Sequence, residues 1–347
     1  MSLPPDLAYT KALPKVELHA HLTGSISRRC LHEIWKQRAS KDSSFGLEDP
    51  LTAIPKATDG NIDVVSFFPI FDKYIYSLVS DEESIRFATT TVLEEFREDG
   101  VRYLELRTTP RAVPAARISK DDYIAIVLKA MADFRMSNDS LHVKLILSID
   151  RKNTLDEAFE VVQLALKYRR LGVVGVDLCG NPARRPISHL KPAFIEANTQ
   201  GLAITLHFAE IAQPDSDELE ELLAWNPQRI GHVIHVPKEL RKSIGDQRLG
   251  LELCLSCNVL ANLSEGGYAS HHFGEWWSAG APIALSTDDV GIFESSLSSE
   301  YLLAAHHFNL DRKQLLELSR SACATIFGDA DEVKRLSNLL DGFCVLA

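Results

Sequence analysis

Eight short runs rich in apolar and β-branched residues recur along this chain, each followed by a stretch with helical spacing, and that alternation narrows the possible folds sharply. The runs fall at 15–22, 101–110, 142–150, 173–180, 203–210, 229–235, 249–258 and 282–289. Between the first and second runs, the stretch 81–98 sets Ile85, Ala88, Val92, Leu93 and Phe96 in one apolar stripe among charged residues. That three-to-four-residue period belongs to a helix packed on one side. The stretch 154–171 reads the same way through Leu155, Ala158, Phe159, Val162 and Leu166. Strands that alternate with helices predict an α/β protein, a (β/α)₈ TIM barrel. A doubly wound open sheet is the alternative, because a sequence does not display closure. The first connection is long, running through 26–34 and 40–62 to a helical 64–78. It predicts a lid-like insertion, about 26–80, over the C-terminal face. Stretches 297–309, 312–327 and 331–340 supply extra C-terminal helices, and residues 1–347 are expected to form one domain.

The chain has 347 residues, 45% of them hydrophobic, enough for a barrel of this kind. Its formal net charge of -11 opposes a phosphate backbone, which argues against nucleic acid as a partner. A small anionic substrate stays compatible, because a local pair of arginines overrides the global sign. The six cysteines are scattered, the N-terminal segment has no apolar signal region, and no stretch is long enough to span a bilayer. A cytoplasmic, monomeric protein that engages no membrane is the expectation. The C-terminal Cys344-Val-Leu-Ala has the form of a prenylation signal but lacks a basic cluster, and it reads as a chance match.

The strand ends are unusually polar. The first closes on His19-Ala-His21, and a side-chain period of two points both imidazoles into the barrel mouth, where they suit zinc. The fifth closes on His207-Phe-Ala-Glu210, which offers a ligand and an acid/base. The eighth closes on Ser286-Thr287-Asp288-Asp289, two carboxylates that repel each other unless a cation or donors hold them. On the sixth, His232 and His235 face opposite ways, and Gly231 implies close backbone approach beside His232, which is assigned to the site. His235, His142 and the pairs His271-His272 and His306-His307 read as structural. Cys254 and Cys257 read as core residues of the seventh strand, since there is no second pair for a zinc ribbon.

Leu-His-Ala-His-Leu-Thr-Gly-Ser at 18–25, His207-x-x-Glu210, Arg-Ile-Gly-His at 229–232, Ser-Cys-Asn at 256–258 and Ser-Thr-Asp-Asp at 286–289 together resemble the adenosine deaminase family of zinc aminohydrolases. The resemblance runs from about residue 13 to about 327. It implies zinc held by His19, His21, His207 and Asp288, with a water as nucleophile at C6 of a purine. Glu210 would protonate ring N1, His232 would orient the water, Asp289 would bond water and base, and the Gly180 backbone would meet ring N3. Related two-metal hydrolases carry a bridging Lys at the end of strand four; here Asp177-Leu-Cys-Gly180 stands there, so one zinc per chain is expected. The run Arg107-Thr108-Thr109-Pro110-Arg111, with Asp150-Arg151 and Gly180-Asn-Pro, resembles the adenosine deaminase-like branch. That branch hydrolyses N6-methyl-AMP and related nucleotides to IMP. The likeness gives Thr108, Thr109, Pro110 and Arg111 a phosphate role and Asp150 a sugar or base contact. Arg111 is expected to be free to reach a ligand. Thr23 replaces an Asn found in many members and alters one substrate contact, beside His21. An adenosine or adenine deaminase shares the metal site and is the first alternative, and a non-catalytic binding barrel is the remote one.

Overall fold

The computed structural model describes residues 4–42, 44–57, 69–213 and 216–346. Eight parallel strands follow one another around a single sheet: β1 (Lys15–His21), β2 (Val101–Thr108), β3 (His142–Asp150), β4 (Val173–Cys179), β5 (Ala203–Phe208), β6 (Arg229–His232), β7 (Gly250–Leu253) and β8 (Ile283–Leu285). Ala20 pairs in parallel with Asp288, just past β8, and so brings the last strand back to the first. The (β/α)₈ barrel is therefore the fold, and the open sheet is excluded. Except for β3, the strands end earlier than the apolar runs imply, and the residues beyond them form the turns and, after β7, the short helix Leu255–Leu260 at the barrel mouth.

Helices cover the outside for the reasons their sequences give. Glu82–Glu98 starts at a capping box between Asp81 and Ser84 and buries Ile85, Ala88, Val92, Leu93 and Phe96. Leu155–Tyr168 starts at a box between Thr154 and Glu157. Its buried face is Ala158, Val161, Val162, Ala165 and Tyr168, turned slightly from the predicted stripe, so that Leu155, Phe159 and Leu166 sit at its edge. The insertion holds the helix Arg28–Lys41, a short turn at Pro50–Ala53 and a π-helical stretch at Phe71–Tyr76. Of the predicted 64–78 helix, residues 69–78 are helical and 64–68 lie outside the described residues. Leu297–Phe308, Arg312–Cys323 and Ala330–Leu346 are the expected C-terminal helices.

A polar network fills the middle of the barrel below the mouth. Arg107 donates to Asp177 (3.2 Å), Glu252 (2.8 Å) and the Leu18 carbonyl (2.6 Å). Arg229 donates to Glu252 (2.6 Å) and Glu105 (2.5 Å), and its guanidinium lies 3.5 Å from the centre of the Phe327 ring. These groups are fully buried, so the network is tolerable only because each charge has an opposite partner and directed hydrogen bonds.

Candidate active site

Alternation along β1 sends Glu17, His19 and His21 to one face of the strand. Across the seam, the Asp288 N–H donates to the His19 carbonyl (2.7 Å) and the His21 N–H donates to the Asp288 carbonyl (3.1 Å). Asp288 has φ 60°, a left-handed conformation rare outside glycine, and its carboxylate meets the imidazoles. Such a backbone costs about 1–3 kcal/mol and persists where the surroundings impose it. Ala209 (φ 50°) makes a similar bend between His207 and Glu210, and His232 (φ 62°) and Val233 (φ 58°) do so at the end of β6.

The result is a convergent donor set. His207 Nε2 lies 3.2 Å from His19 Nε2 and 3.1 Å from His21 Nε2. Asp288 Oδ1 lies 3.6 Å from His19 Nε2 and 3.4 Å from His21 Nε2. Donors bound to one ion at about 2.0–2.1 Å stand about 3.3–3.4 Å apart in a tetrahedral arrangement, and these four separations are close to that, so the set is compatible with a metal ion. The outer nitrogens are also placed for it. His19 Nδ1 lies 2.7 Å from Glu252 and His207 Nδ1 lies 3.1 Å from Asp177. Carboxylates accept those protons and leave the Nε2 lone pairs facing inward. Burial pushes the His21 pKa down to about 3 and that of His19 well below its usual value, with Arg107 adding to the latter. For His207, Asp177 outweighs burial and raises the pKa. Burial opposes ionisation of Asp288, but the surrounding imidazoles hold its carboxyl below the usual range.

His232 joins this group from the other side, its Nε2 3.8 Å from Asp288 Oδ2. His19, His207, His232 and Asp288 offer donor atoms that all lie within 4.8 Å of one another, a second grouping beside the one with His21. A Cβ at Gly231 would stand 2.5 Å from His19 Cε1, so only glycine lets β6 pass this close to the ring. Asp289 is buried, and burial together with the charges of Asp288 and Glu210 lifts its pKa well above the carboxylate range. Neither Asp289 Oδ1 nor His232 Nε2 makes a hydrogen bond within the protein. Two buried polar atoms beside a cavity, each without a partner, call for one from outside it.

That cavity has a volume of about 700 Å³, within the range of small-molecule sites. His21, Thr23, His207, Glu210, His232, Asp288 and Asp289 form its floor and flank, with Asp150 and Gly180 at the ends of β3 and β4. The structure thus brings together nearly all of the residues singled out in the sequence. The phosphate run is the exception. Thr109 lines the cavity, but Thr108 is buried and shares a 2.8 Å hydrogen bond with Tyr123. Pro110 and Arg111 are not among the lining residues. The expectation that Arg111 is free does not hold, because its guanidinium donates to the Val79 carbonyl and lies 5.1 Å and 5.2 Å from the centres of the Tyr76 and Tyr123 rings. Lys152 and Arg184, unremarked in the sequence, are the Lys and Arg side chains on the cavity wall among the described residues.

The cysteine reading also needs correction. β7 ends at Leu253, and Cys257 sits on the following helix, Leu255–Leu260, where its Sγ donates to Asp288 Oδ2 at 2.9 Å. It lines the cavity as well as being buried. His235 is satisfied by the Leu263 carbonyl at 3.0 Å, consistent with a structural role. Asp177 and Glu252 were missed in the sequence. Their signal was a carboxylate in the interior of an apolar strand, which folding tolerates only against a partner.

Comparison with known proteins agrees with this geometry. The family model described as "Adenosine deaminase" matches residues 14–343. An Arabidopsis thaliana protein named "N6-mAMP deaminase" is 35% identical over 350 residues, covering 95% of this chain and 96% of that one. A Homo sapiens "N6-Methyl-AMP deaminase" is 35% identical over 324 residues, covering 91% and 89%. The crystal structure of Arabidopsis ADAL complexed with IMP superposes with a TM-score of 0.88 at 33% identity, over 96% of this chain and 98% of that one. A match across nearly the whole barrel, on a site whose clustered imidazoles and carboxylate could hold a metal ion, means that this chain belongs to the adenosine deaminase family.

Proposed function

We propose that this protein is a zinc-dependent hydrolase of N6-substituted purine nucleoside monophosphates, converting N6-methyl-AMP and water to IMP and methylamine. Family membership makes it a hydrolytic deaminase acting on C–N bonds. The observation that carries the finer reading is the four-donor set opening on a nucleotide-sized cavity, in a chain 35% identical to N6-methyl-AMP deaminases over almost its full length.

His19, His21, His207 and Asp288 would hold one zinc ion. When bound, it supplies Lewis acidity that lowers the pKa of water toward neutrality, making a nucleophile available near pH 7. The protein's own residues do the rest. Glu210 stands on the cavity wall to deliver a proton to purine N1, which makes C6 electrophilic. Asp289 and His232, with unpartnered polar atoms at the same wall, orient the water and the leaving amine. Asp150 and Gly180 line the same cavity, and they would meet the sugar and ring N3. A panel of N6-methyl-AMP, AMP, adenosine and adenine tests the reading. The expected order of kcat/KM has N6-methyl-AMP first, with activity lost on chelation, restored by zinc, and one metal per chain by elemental analysis. A preference for adenosine or adenine, or activity indifferent to chelators, refutes it.

The charged residues of the cavity wall support a phosphate site within the same reading. Lys152 and Arg184, which line the cavity with Thr109, would take the phosphate role that the resemblance assigns to the run Thr108-Thr109-Pro110-Arg111. Lys152 pairs with Asp150 at 3.1 Å and is exposed, so that ion pair contributes little and a phosphate competes for it readily. Lys152→Ala combined with Arg184→Ala is expected to raise KM for N6-methyl-AMP about 10-fold or more while leaving KM for the nucleoside nearly unchanged. Arg111→Ala, which loosens Tyr76, should affect both substrates alike. Equal KM shifts in the double variant would remove Lys152 and Arg184 from the phosphate site.

A further inference from the structure

Asn258 stands between two imidazoles, its side-chain amide 3.0 Å from His232 Nδ1 and 3.0 Å from His271 Nε2. All three residues are buried. The polarity of the chain is set at its far end, where the Phe273 backbone N–H donates to His271 Nδ1 at 3.1 Å. A backbone N–H cannot act as an acceptor, so His271 Nδ1 carries no proton. Burial and the adjacent His272 push the His271 pKa down to about 2, and the ring is neutral. Its one proton is therefore on Nε2 and needs an acceptor, and Asn258 is the group in range.

In the structure the Asn258 nitrogen is turned toward His271, which sets two donors against each other. A half-turn of the amide exchanges its oxygen and nitrogen with almost no movement of atoms and removes the conflict. Oδ1 then accepts from His271, and Nδ2–H is presented to His232 Nδ1, which must accept. His232 is left with its proton on Nε2, the atom that has no partner within the protein and lies 3.8 Å from Asp288 Oδ2. The backbone of His232 is fixed as well, since His272 Nε2 lies 2.7 Å from its carbonyl oxygen.

We infer that Asn258 and His271 are positioning residues that hold His232 as the Nε2–H tautomer, so that it donates a hydrogen bond to the reacting oxygen and does not deprotonate it. A base at this place would need a lone pair on Nε2, and the relay from Phe273 through His271 and Asn258 removes it. What the donor does rests on the deaminase reading above, but where the proton sits does not.

Neutron diffraction from deuterium-exchanged, zinc-loaded protein tests the proton position without reference to turnover. Deuterium is expected on Nε2 of both His232 and His271, and deuterium on His232 Nδ1 would overturn the inference. Asn258→Asp accepts from both sides, which draws the His232 proton to Nδ1. It is expected to keep its zinc and a KM within a few-fold of wild type while kcat falls about 10²-fold, the loss typical of one transition-state donor. Wild-type kcat in a folded, zinc-loaded Asn258→Asp would overturn the catalytic role. Should that variant not fold, the neutron result on the wild-type protein still decides. Deuterium on Nε2 in a protein that ignores N6-methyl-AMP would uphold the relay and refute the substrate.

Discussion

Glu210→Gln is expected to bind zinc as the wild type does and to lose about 10³-fold in kcat on N6-methyl-AMP, equivalent to about 4 kcal/mol of transition-state stabilisation. Glutamine keeps the length of the side chain and can still donate an N–H, so substrate binding and KM should move little. It cannot give up a proton, and attack at C6 of an unprotonated purine leaves negative charge on the ring. No other acid takes over, because Asp289 and the metal-site groups are already committed to the water and the ion. The metal should stay because Glu210 is not among the four converging donors; it lies beyond the left-handed bend at Ala209, three residues past His207. Elemental analysis and single-turnover kinetics on the same preparation check both halves. A variant within about tenfold of wild type would exclude Glu210 as the proton donor.

How legible this site was depends on which physical rule governs each part. The strand–helix order followed from apolar periodicity, which a sequence displays directly. His19 and His21 could be paired because β-structure alternates, and Gly231 signalled the close approach that His19 makes to it. The strand ends of β5, β6 and β8 were read too long because left-handed residues follow there, and Ala209 and Val233 are not of the types that announce such a backbone, while His232 and Asp288 are only enriched in it. Those bends end the ladders and aim the functional side chains. Arg111 was misread for a different reason. Its neighbours in space, Tyr76 and Val79, come from the insertion after β1, and no local pattern predicts that packing. The sixth-strand histidine was found, but Asn258 and His271, whose side chains line up beside it, come from the helix after β7 and from the loop beyond it.

Glu252 ties the metal site to the stability of the barrel, and Glu252→Leu is expected to damage both. Its carboxylate accepts four hydrogen bonds: from His19 Nδ1 (2.7 Å), Arg107 (2.8 Å), Thr205 (2.8 Å) and Arg229 (2.6 Å). Burial alone would raise its pKa, yet Arg107 and Arg229 outweigh that and lower it from 4.5 to about 2. Removing it leaves two buried guanidiniums short of a counter-charge, although Asp177 and Glu105 still hold them in part. Breaking a buried pair in this way costs about 3–5 kcal/mol, a large share of the about 5–15 kcal/mol typical of a folded protein. His19 also loses the acceptor that fixes its Nδ1 proton, and zinc affinity should fall about 10–100-fold. The two effects separate experimentally. Denaturation of metal-free protein reads the first, and zinc titration under conditions where both proteins are folded reads the second. The pH dependence has a defined sign, because a depressed carboxyl pKa stabilises the fold above the unfolded value near 4.5 and ceases to do so as pH falls through about 2. The stability gap between wild type and Glu252→Leu should therefore be constant near neutrality and narrow between those two values. An equal gap at all pH would mean that lost packing, and not the buried charge, accounts for the defect.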